Sequence, residues 1–324
     1  MSNVQPIIKW AGGKRKLAPV ISNIVKIDVP NLETYIEPFF GGGAVYFDLY
    51  NNQLFNKSYV NDIIPQLVSF YKTISKIENI QEFHKRITNL LFTFNSFNSK
   101  EERQKFFYDT RDSFNSLWIN GDEASSSTTN LDNSDSTLSA VYLYVLNRTC
   151  FNGLFRVNKK GKFNVPLGSY KNISIPSIKD IENYSEALNH AEIFLGDYEV
   201  LIEKAIDIEN AFIYLDPPYV ANSQTSNFTS YSKDSFQDSL DIDSEHYRLS
   251  KNFDKLITSN LKAVLSNHNN PKAIEIFVSG KKDVFVYEID ITKTIGRVQG
   301  SKNTSSELLI STFEITSLNE LRII

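Results

Sequence analysis

The sequence predicts an α/β fold built on an open, mostly parallel sheet, with an antiparallel hairpin closing its C-terminal edge. Three observations carry this. The run Asn210-Ala211-Phe212-Ile213-Tyr214-Leu215 is short, apolar and rich in branched and aromatic residues, as a buried parallel strand is, and Asp216-Pro217-Pro218 stops it. Thr34 to Phe47 reads strand, glycine turn, helix, an arrangement that lets backbone approach a nucleotide-like ligand closely. Strands with polar ends recur: Lys57 to Val60 ends at Asn61-Asp62, Ala191 to Leu195 at Gly196-Asp197-Tyr198, and Lys262 to Leu265 at Ser266-Asn267-His268. Ligands of open α/β sheets bind beyond the carboxyl ends of the strands, so these ends are where chemistry is expected.

Composition narrows the class. A chain of 324 residues, 41% hydrophobic and 22% charged, is long enough for one large or two modest globular domains. A lone Cys150 excludes an internal disulfide and suits a reducing cytoplasm. Lys9, Lys14, Arg15 and Lys16 have no apolar segment after them, so no signal peptide is expected, and no run is long enough to span a membrane. The net charge of −4 argues against a nucleic-acid partner only as a sum. From Ser136 to Lys179 there is no acid, while Arg148, Arg156, Lys159, Lys160, Lys162, Lys171 and Lys179 all fall there.

In chain order, Gly12-Gly13-Lys14-Arg15 is a basic turn, not a phosphate-binding P-loop, because the Ser/Thr after the lysine and the first glycine of that motif are missing. The glycine turn is Phe39-Phe40-Gly41-Gly42-Gly43, without the third glycine of the dinucleotide fingerprint. Asp62 stands at the distance expected of an acid that holds ribose hydroxyls; it is equally a cap for the next helix. Residues 65–120 are helical, with a new helix opening at Ser99 where Glu102 completes a capping box. Glu123 to Thr137 is a polar, low-complexity insertion read as a loop, and Leu138 to Leu146 resumes a helix. Two short strands around Asn158-Lys159-Lys160-Gly161 make a basic β-hairpin, fit for nucleic acid or simply a solvated surface. Asp283 to Ile291 and Glu307 to Ile315 alternate as the antiparallel edge pair, joined by a basic loop over Arg297 to Asn303. His268 has no metal-ligand spacing with the other histidines and reads as a core or surface residue.

The Asp216-Pro217-Pro218-Tyr219 cluster carries the chemistry. Asp216 offers carboxylate oxygens, Pro217 a carbonyl with no N–H beside it, and Tyr219 a flat ring. Two acceptors and a stacking face suit a planar group bearing an NH2, such as the exocyclic amine of a nucleobase. Two hydrogen bonds pull that amine toward tetrahedral geometry and free its lone pair for attack on an electrophile. The same four residues also serve as a bare strand stop and turn.

Taken with Lys9-Trp10-Ala11-Gly12-Gly13-Lys14, Glu37-Pro38-Phe39-Phe40-Gly41-Gly42-Gly43, Asn61-Asp62, the segment Asn147 to Gly168, Asn227-Phe228-Thr229-Ser230-Tyr231 and Leu265-Ser266-Asn267-His268, the cluster makes the chain closely resemble the Dam family of D12-class DNA adenine-N6 methyltransferases. In that group the glycine motif precedes the target-recognition domain and Asp-Pro-Pro-Tyr follows it; the order here is the same. The 123–137 insertion departs from the pattern, and the 297–302 loop is less basic than the family's.

The resemblance implies a Rossmann-like methyltransferase sheet in residues 1–65 and 190–324, with a mainly helical target-recognition domain carrying a β-hairpin inserted at 66–189. It implies S-adenosylmethionine as methyl donor, without a metal, near Trp10, Lys14, Phe39, Gly41, Gly43, Asp62, Asp197, Tyr198 and Asp216. Adenine flipped from duplex DNA would stack on Tyr219, its N6 amine held by Asp216 and the Pro217 carbonyl, with Pro218 fixing the turn. Arg148, Phe151, Asn152, Leu154, Arg156, Lys159, Lys160 and Pro166 would meet DNA, Arg156 forking onto a guanine and Leu154 and Pro166 packing on thymine methyls, in a GATC or GAT-containing site. A companion restriction endonuclease acting on the same site is a partner the resemblance leaves open. Two rivals compete: a nicotinamide-dependent oxidoreductase, which the glycine turn and Asp62 would also serve, and a non-catalytic DNA-binding module.

Overall fold

The computed structural model describes residues 3–119, 133–220, 242–292 and 304–321. Among them, seven strands form one sheet: β1 Thr34–Glu37, β2 Lys57–Asp62, β3 Ala191–Leu195, β4 Ala211–Leu215, β5 Lys262–His268, β6 Phe285–Thr292 and β7 Thr304–Ser311. Their spatial order is β3-β2-β1-β4-β5-β7-β6. The first five run parallel, and β7 pairs antiparallel with both β5 and β6. The order steps outward in one direction from β1 and in the other from β4, so the topological switch point lies between these two strands. A ligand crevice is expected there.

The pleat of β4 explains why its run is apolar throughout. Phe212 and Tyr214 join a core on one face, and Ile213 and Leu215 join a second core on the other. The first core includes residues of α1 (Ala18–Asp28) and α2 (Ala44–Asn51) and continues without a break into the helical segment. There it takes in Phe83, Ile87, Leu91 and Phe94 of α4 (Ile80–Ser96), Phe107 and Phe114 of α5 (Lys100–Ile119), Val141 and Val145 of α6 (Asn133–Thr149), and Phe163. Between sheet and segment, α3 (Pro65–Ile74) packs on β2 and β3, as does α7 (Ile178–Asn189) on β3. The second core is covered by α8 (Glu199–Ile206), α9 (Ile242–Thr258) and α10 (Pro271–Phe277). Among the described residues no helix is long and apolar enough to cross a membrane.

Several expected boundaries move. The α6 helix begins at Asn133, inside the stretch read as a loop, since polar composition by itself lowers helix propensity only slightly. The β2 and β5 strands run on through their polar ends to Asp62 and His268, since partner strands extend that far. The β7 strand is Thr304–Ser311, not Glu307 to Ile315: beyond it Thr312 N–H donates to the Ala263 carbonyl (3.1 Å) and Ile315 N–H to the Tyr287 hydroxyl (2.7 Å), so the apolar alternation there belongs to chain folding back on the core. The basic hairpin pairs by one bridge, Val157 with Phe163, rather than by two full strands. At Ser99 the capping box forms as expected, Ser99 Oγ accepting from Glu102 N–H (3.1 Å) and Glu102 Oε2 from Ser99 N–H (3.1 Å). The segments Asn227 to Tyr231 and Arg297 to Asn303 lie outside the described residues.

Candidate active site

Three acids stand at the carboxyl ends of three adjacent strands: Asp62 on β2, Glu37 on β1 and Asp216 just after β4. Glu37-Pro38 and Asp216-Pro217 are the same device on the two strands that flank the switch point, an acid at a strand end followed by a proline that cannot extend the ladder. Burial holds the Glu37 carboxyl well above the usual carboxylate range, although the Tyr35 hydroxyl donates to its Oε2 (2.8 Å). Burial likewise pushes Asp62 up to about 6, against hydrogen bonds from backbone N–H groups that favour its charge. Those of Gly41 and Ile64, each 2.9 Å away, tie Asp62 at once to the glycine turn and to its own following loop. Beside it Asn61 donates to the carbonyls of Pro38 (3.1 Å) and Gly196 (3.0 Å), stapling the loops after β1 and β3.

The glycine turn is shaped by its neighbours. Gly43 has φ +69°, and a Cβ there would meet Phe40 at 2.7 Å and Phe47 at 2.9 Å, so glycine is required on two grounds. Trp10 lies against Gly41 and Gly42: a Cβ on Gly41 would fall 3.0 Å from the indole Cδ1, and one on Gly42 would fall 3.0 Å from the tryptophan Cβ. The Tyr71 hydroxyl bonds the Gly41 carbonyl (2.6 Å).

Across the switch point, Lys14 Nζ and Ser266 Oγ both reach Asp216 Oδ1 at 3.0 Å. Among the described residues nothing bonds Oδ2. Burial raises the Asp216 carboxyl, Lys14 draws it back down, and Glu307 raises it again. The Lys14 ammonium also sits 4.1 Å from the centre of the Tyr219 ring and donates to its hydroxyl. Burial and the charges of Asp216 and Glu307 keep that hydroxyl protonated, and it donates to Glu307. The end of β5 fastens the rest of the run. Ser266 takes Asp216, His268 lies against Tyr219, and Asn267 Oδ1 accepts from Val220 N–H (3.2 Å).

Beyond β3, Tyr198 packs on Phe39 at 5.0 Å. Asp197 is held by Arg248 of α9, Nη2 to Oδ2 at 2.7 Å and Nη1 to Oδ1 at 3.2 Å, and the guanidinium lies 4.6 Å over the Tyr198 ring. Glu199 and Glu245 bond the same guanidinium.

The basic hairpin connects to this crevice through the N-terminal segment. Asn147 accepts from Lys9 N–H (2.8 Å) and donates to the carbonyls of Lys9 (2.7 Å) and Gly153 (3.0 Å). Trp10, one residue on, stacks on Phe155 at 5.7 Å. A Cβ on Gly153 would fall 2.5 Å from the Lys9 side chain. Phe151, Asn152, Arg156, Lys159, Lys160 and Pro166 are exposed together along this segment, with Leu154 half-buried beside them. Phe151 N–H bonds the Pro166 carbonyl (2.9 Å), and Asn164 Oδ1 accepts from Arg156 Nε (2.7 Å). Arg148 lies elsewhere: it bonds Ser174 (3.3 Å) and lines a cavity of about 340 Å³ with Val4, Tyr144 and Pro176.

The structure therefore gathers Trp10, Lys14, Phe39, Gly41, Gly43, Asp62, Asp197, Tyr198 and Asp216 to Tyr219 around the strand ends, and all the expected DNA contacts but Arg148 along one hairpin. Sequence reasoning gave no role to Glu37, Arg248, Ser266 or Glu307, and it set His268 aside. Glu37 had a signal, the acid-proline pair it shares with Asp216. Arg248 had only the local i,i+3 pair with Glu245; its partners from beyond β3 and from α8, Asp197 and Glu199, lie far off in sequence.

The strand ends that flank the switch point thus carry buried carboxyls and share the Lys9-Trp10 segment with an exposed basic hairpin. Residues 10–295 match the family model of the D12 class N6 adenine-specific DNA methyltransferases. The chain is 38% identical over 269 residues to the type II methyltransferase M.MjaIII of Methanocaldococcus jannaschii, covering 82% of this chain and 85% of that one. It is 32% identical to the type II methyltransferase M1.LlaDCHI of Lactococcus lactis subsp. cremoris, with 96% of each covered, and 28% identical to a DNA adenine methylase of Vibrio cholerae, covering 95% of this chain and 96% of that one. With strand order, crevice and sequence in agreement, the chain belongs to the D12 class of N6 adenine-specific DNA methyltransferases.

Proposed function

We propose that the protein transfers a methyl group from S-adenosylmethionine to N6 of an adenine flipped out of duplex DNA, within GATC or a longer site containing GAT. The observation that carries this is the pair of occupied and open oxygens on Asp216. Lys14 and Ser266 hold Oδ1, and among the described residues no partner takes Oδ2, which supports its use as an acceptor for an incoming amine. The Pro217 carbonyl is the second acceptor, and the Tyr219 ring the stacking surface. Asp216 orients the amine rather than stripping it of a proton, since a carboxylate is far too weak a base for a neutral amine even when burial raises it. Preorganised acceptors of this kind account for rate through orientation and electrostatics.

The crevice residues fit the methyl donor. Burial raises Glu37, Asp62 and Asp216 alike, so a cationic ligand beside them would favour their charged forms, and Asp62 with the glycine turn suits ribose hydroxyls. Trp10, Phe39 and Tyr198 offer flat apolar walls, with Asp197 at the adenine edge. When bound, S-adenosylmethionine supplies a methyl on a sulfonium, so the C–N bond can form as the C–S bond breaks without further activation.

Residues 66–189 act as the target-recognition domain, with Arg156 on a guanine, Leu154 and Pro166 on thymine methyls, Phe151 and Asn152 at the vacated base, and Lys159 and Lys160 on phosphates. The names of two relatives place them among type II methyltransferases, which motivates a companion endonuclease of the same specificity as a partner. The test is plasmid from cells that lack adenine methylation but express this chain, challenged with a GATC-cutting nuclease blocked by adenine methylation. Protection that disappears with Asp216→Ala is expected. Full cutting, with methyl still incorporated into mixed-sequence duplex, would overturn GATC alone; no incorporation at all would overturn the activity.

A further inference from the structure

The pairing of β5 with β7 sets His268 opposite Glu307, so both side chains leave one face of the sheet, next to the end of β4. Both meet Tyr219. The His268 ring meets the tyrosine ring at 4.1 Å and 65°, edge to face. The tyrosine hydroxyl lies 2.7 Å from Glu307 Oε1 and 2.6 Å from Oε2, and Lys14 Nζ is 3.9 Å from Oε1. Glu307 is only 8% exposed and is followed in β7 by Leu308, Leu309 and Ile310, all buried. A carboxylate in such a strand is unfavourable unless it is paired and hydrogen-bonded. Its partners here are the ring hydroxyl of Tyr219 and the lysine it shares with Asp216.

We infer that Glu307 is a positioning residue for methyl transfer, holding the Tyr219 ring in its stacking place through the hydroxyl. The inference rests on the reading of Tyr219 as the surface on which the target base stacks. A hydroxyl lies on the ring's long axis, so a bond to it fixes where that axis points; the edge contact of His268 and the ammonium of Lys14 set the plane about it. Stacking then occurs on a surface already in place. A ring left free to swing must be ordered at each turnover, and misplacement by about 1 Å costs on the order of a hundredfold in rate.

The test is a double-mutant cycle on the full chain, with labelled S-adenosylmethionine and unmethylated mixed-sequence duplex, separating kcat from KM. Glu307→Ala and the closer-sized Glu307→Leu should lower kcat by roughly ten- to a hundredfold, with KM for S-adenosylmethionine little changed. Glu307→Gln, which still accepts from the hydroxyl, should recover most of the rate. In a Tyr219→Phe background, where the hydroxyl is gone and the stacking face remains, neither Glu307→Ala nor Glu307→Leu should cost anything more. An equal loss in that background, a loss confined to KM, or a Glu307→Gln variant as slow as Glu307→Ala would overturn the role. If Glu307→Ala melts below assay temperature, the Leu and Gln variants decide by the same criteria. Tyr219→Ala separates the two readings. Wild-type rates in it would remove stacking itself, whereas a dead Tyr219→Ala beside a fully active Glu307→Ala would remove only the part given to Glu307.

Discussion

The crevice and the hairpin are built on opposite plans. At the strand ends each polar group of the run is fixed by residues from elsewhere: Asp216 by Lys14 and Ser266, Asp62 by two backbone N–H groups, Asp197 by Arg248. On the hairpin, Phe151, Asn152, Lys159 and Lys160 stand exposed over a segment that pairs by two isolated bridges, Cys150 with Leu167 and Val157 with Phe163. Chemistry at an amine demands placement within fractions of an ångström, which only an interlocked, buried site supplies. Reading a duplex demands side chains that reach out, and much of their work is done on phosphates, where position is forgiving. On the proposed roles, the chain interlocks the place where bonds would change and leaves its reader accessible.

That contrast can be broken from the crevice side first. Asp216→Ala should reduce kcat by on the order of 10²–10³-fold or more while leaving DNA affinity close to wild type, measured by single-turnover methylation and by duplex binding. A comparable loss of DNA affinity would mean that the two regions are not separate in function. The buried acids should also show as a cost. Asp62 is raised from its ordinary 3.8 to about 6, so the folded state holds that proton more tightly than the unfolded one. Its contribution to stability is complete below the ordinary value and is lost as pH rises through about 6. Melting of the ligand-free protein between pH 4 and 7.5 should show a decline that Asp62→Asn reduces by up to about 3 kcal/mol, the equivalent of two pKa units. An unchanged slope would deny that Asp62 is strained by its burial.

From the hairpin side, Arg156→Ala should relax discrimination at one guanine by about 1–3 kcal/mol while binding to random duplex falls less. Equal losses on both would make Arg156 a phosphate contact. The smallest effect belongs to Lys159→Ala and Lys160→Ala. Each should weaken binding on all sequences alike and lower the slope of log affinity against log salt by about 1, read from titrations at several ionic strengths.

What could be read from sequence follows a physical line. Strands β1, β2, β4 and β5, the glycine turn and the Asp216 to Tyr219 run were legible because burial on both faces and proline stops write themselves into a few consecutive residues. The capping box at Ser99 was legible for the same reason. Glu307 was not, because its meaning comes from the β5 and β7 register, which sets it beside a tyrosine 88 positions away. Arg248 was not, because two of the carboxylates it gathers, Asp197 and Glu199, are about fifty residues away and reach it only through the second core. The β7 boundary was misread because alternation records burial, and Phe313 and Ile315 are packed inward without being in a strand.

Asn147 has one more consequence. By clasping the backbone of Lys9 and the carbonyl of Gly153 it makes the Lys9-Trp10 segment common property of the hairpin and the glycine turn, with both Phe155 and Gly41 against the indole. An occupant of either place that shifts this segment changes the free energy of filling the other, and linkage requires that the change be equal in both directions. Cofactor occupancy and sequence recognition would then be two readings of one equilibrium, with an asparagine as the coupling element.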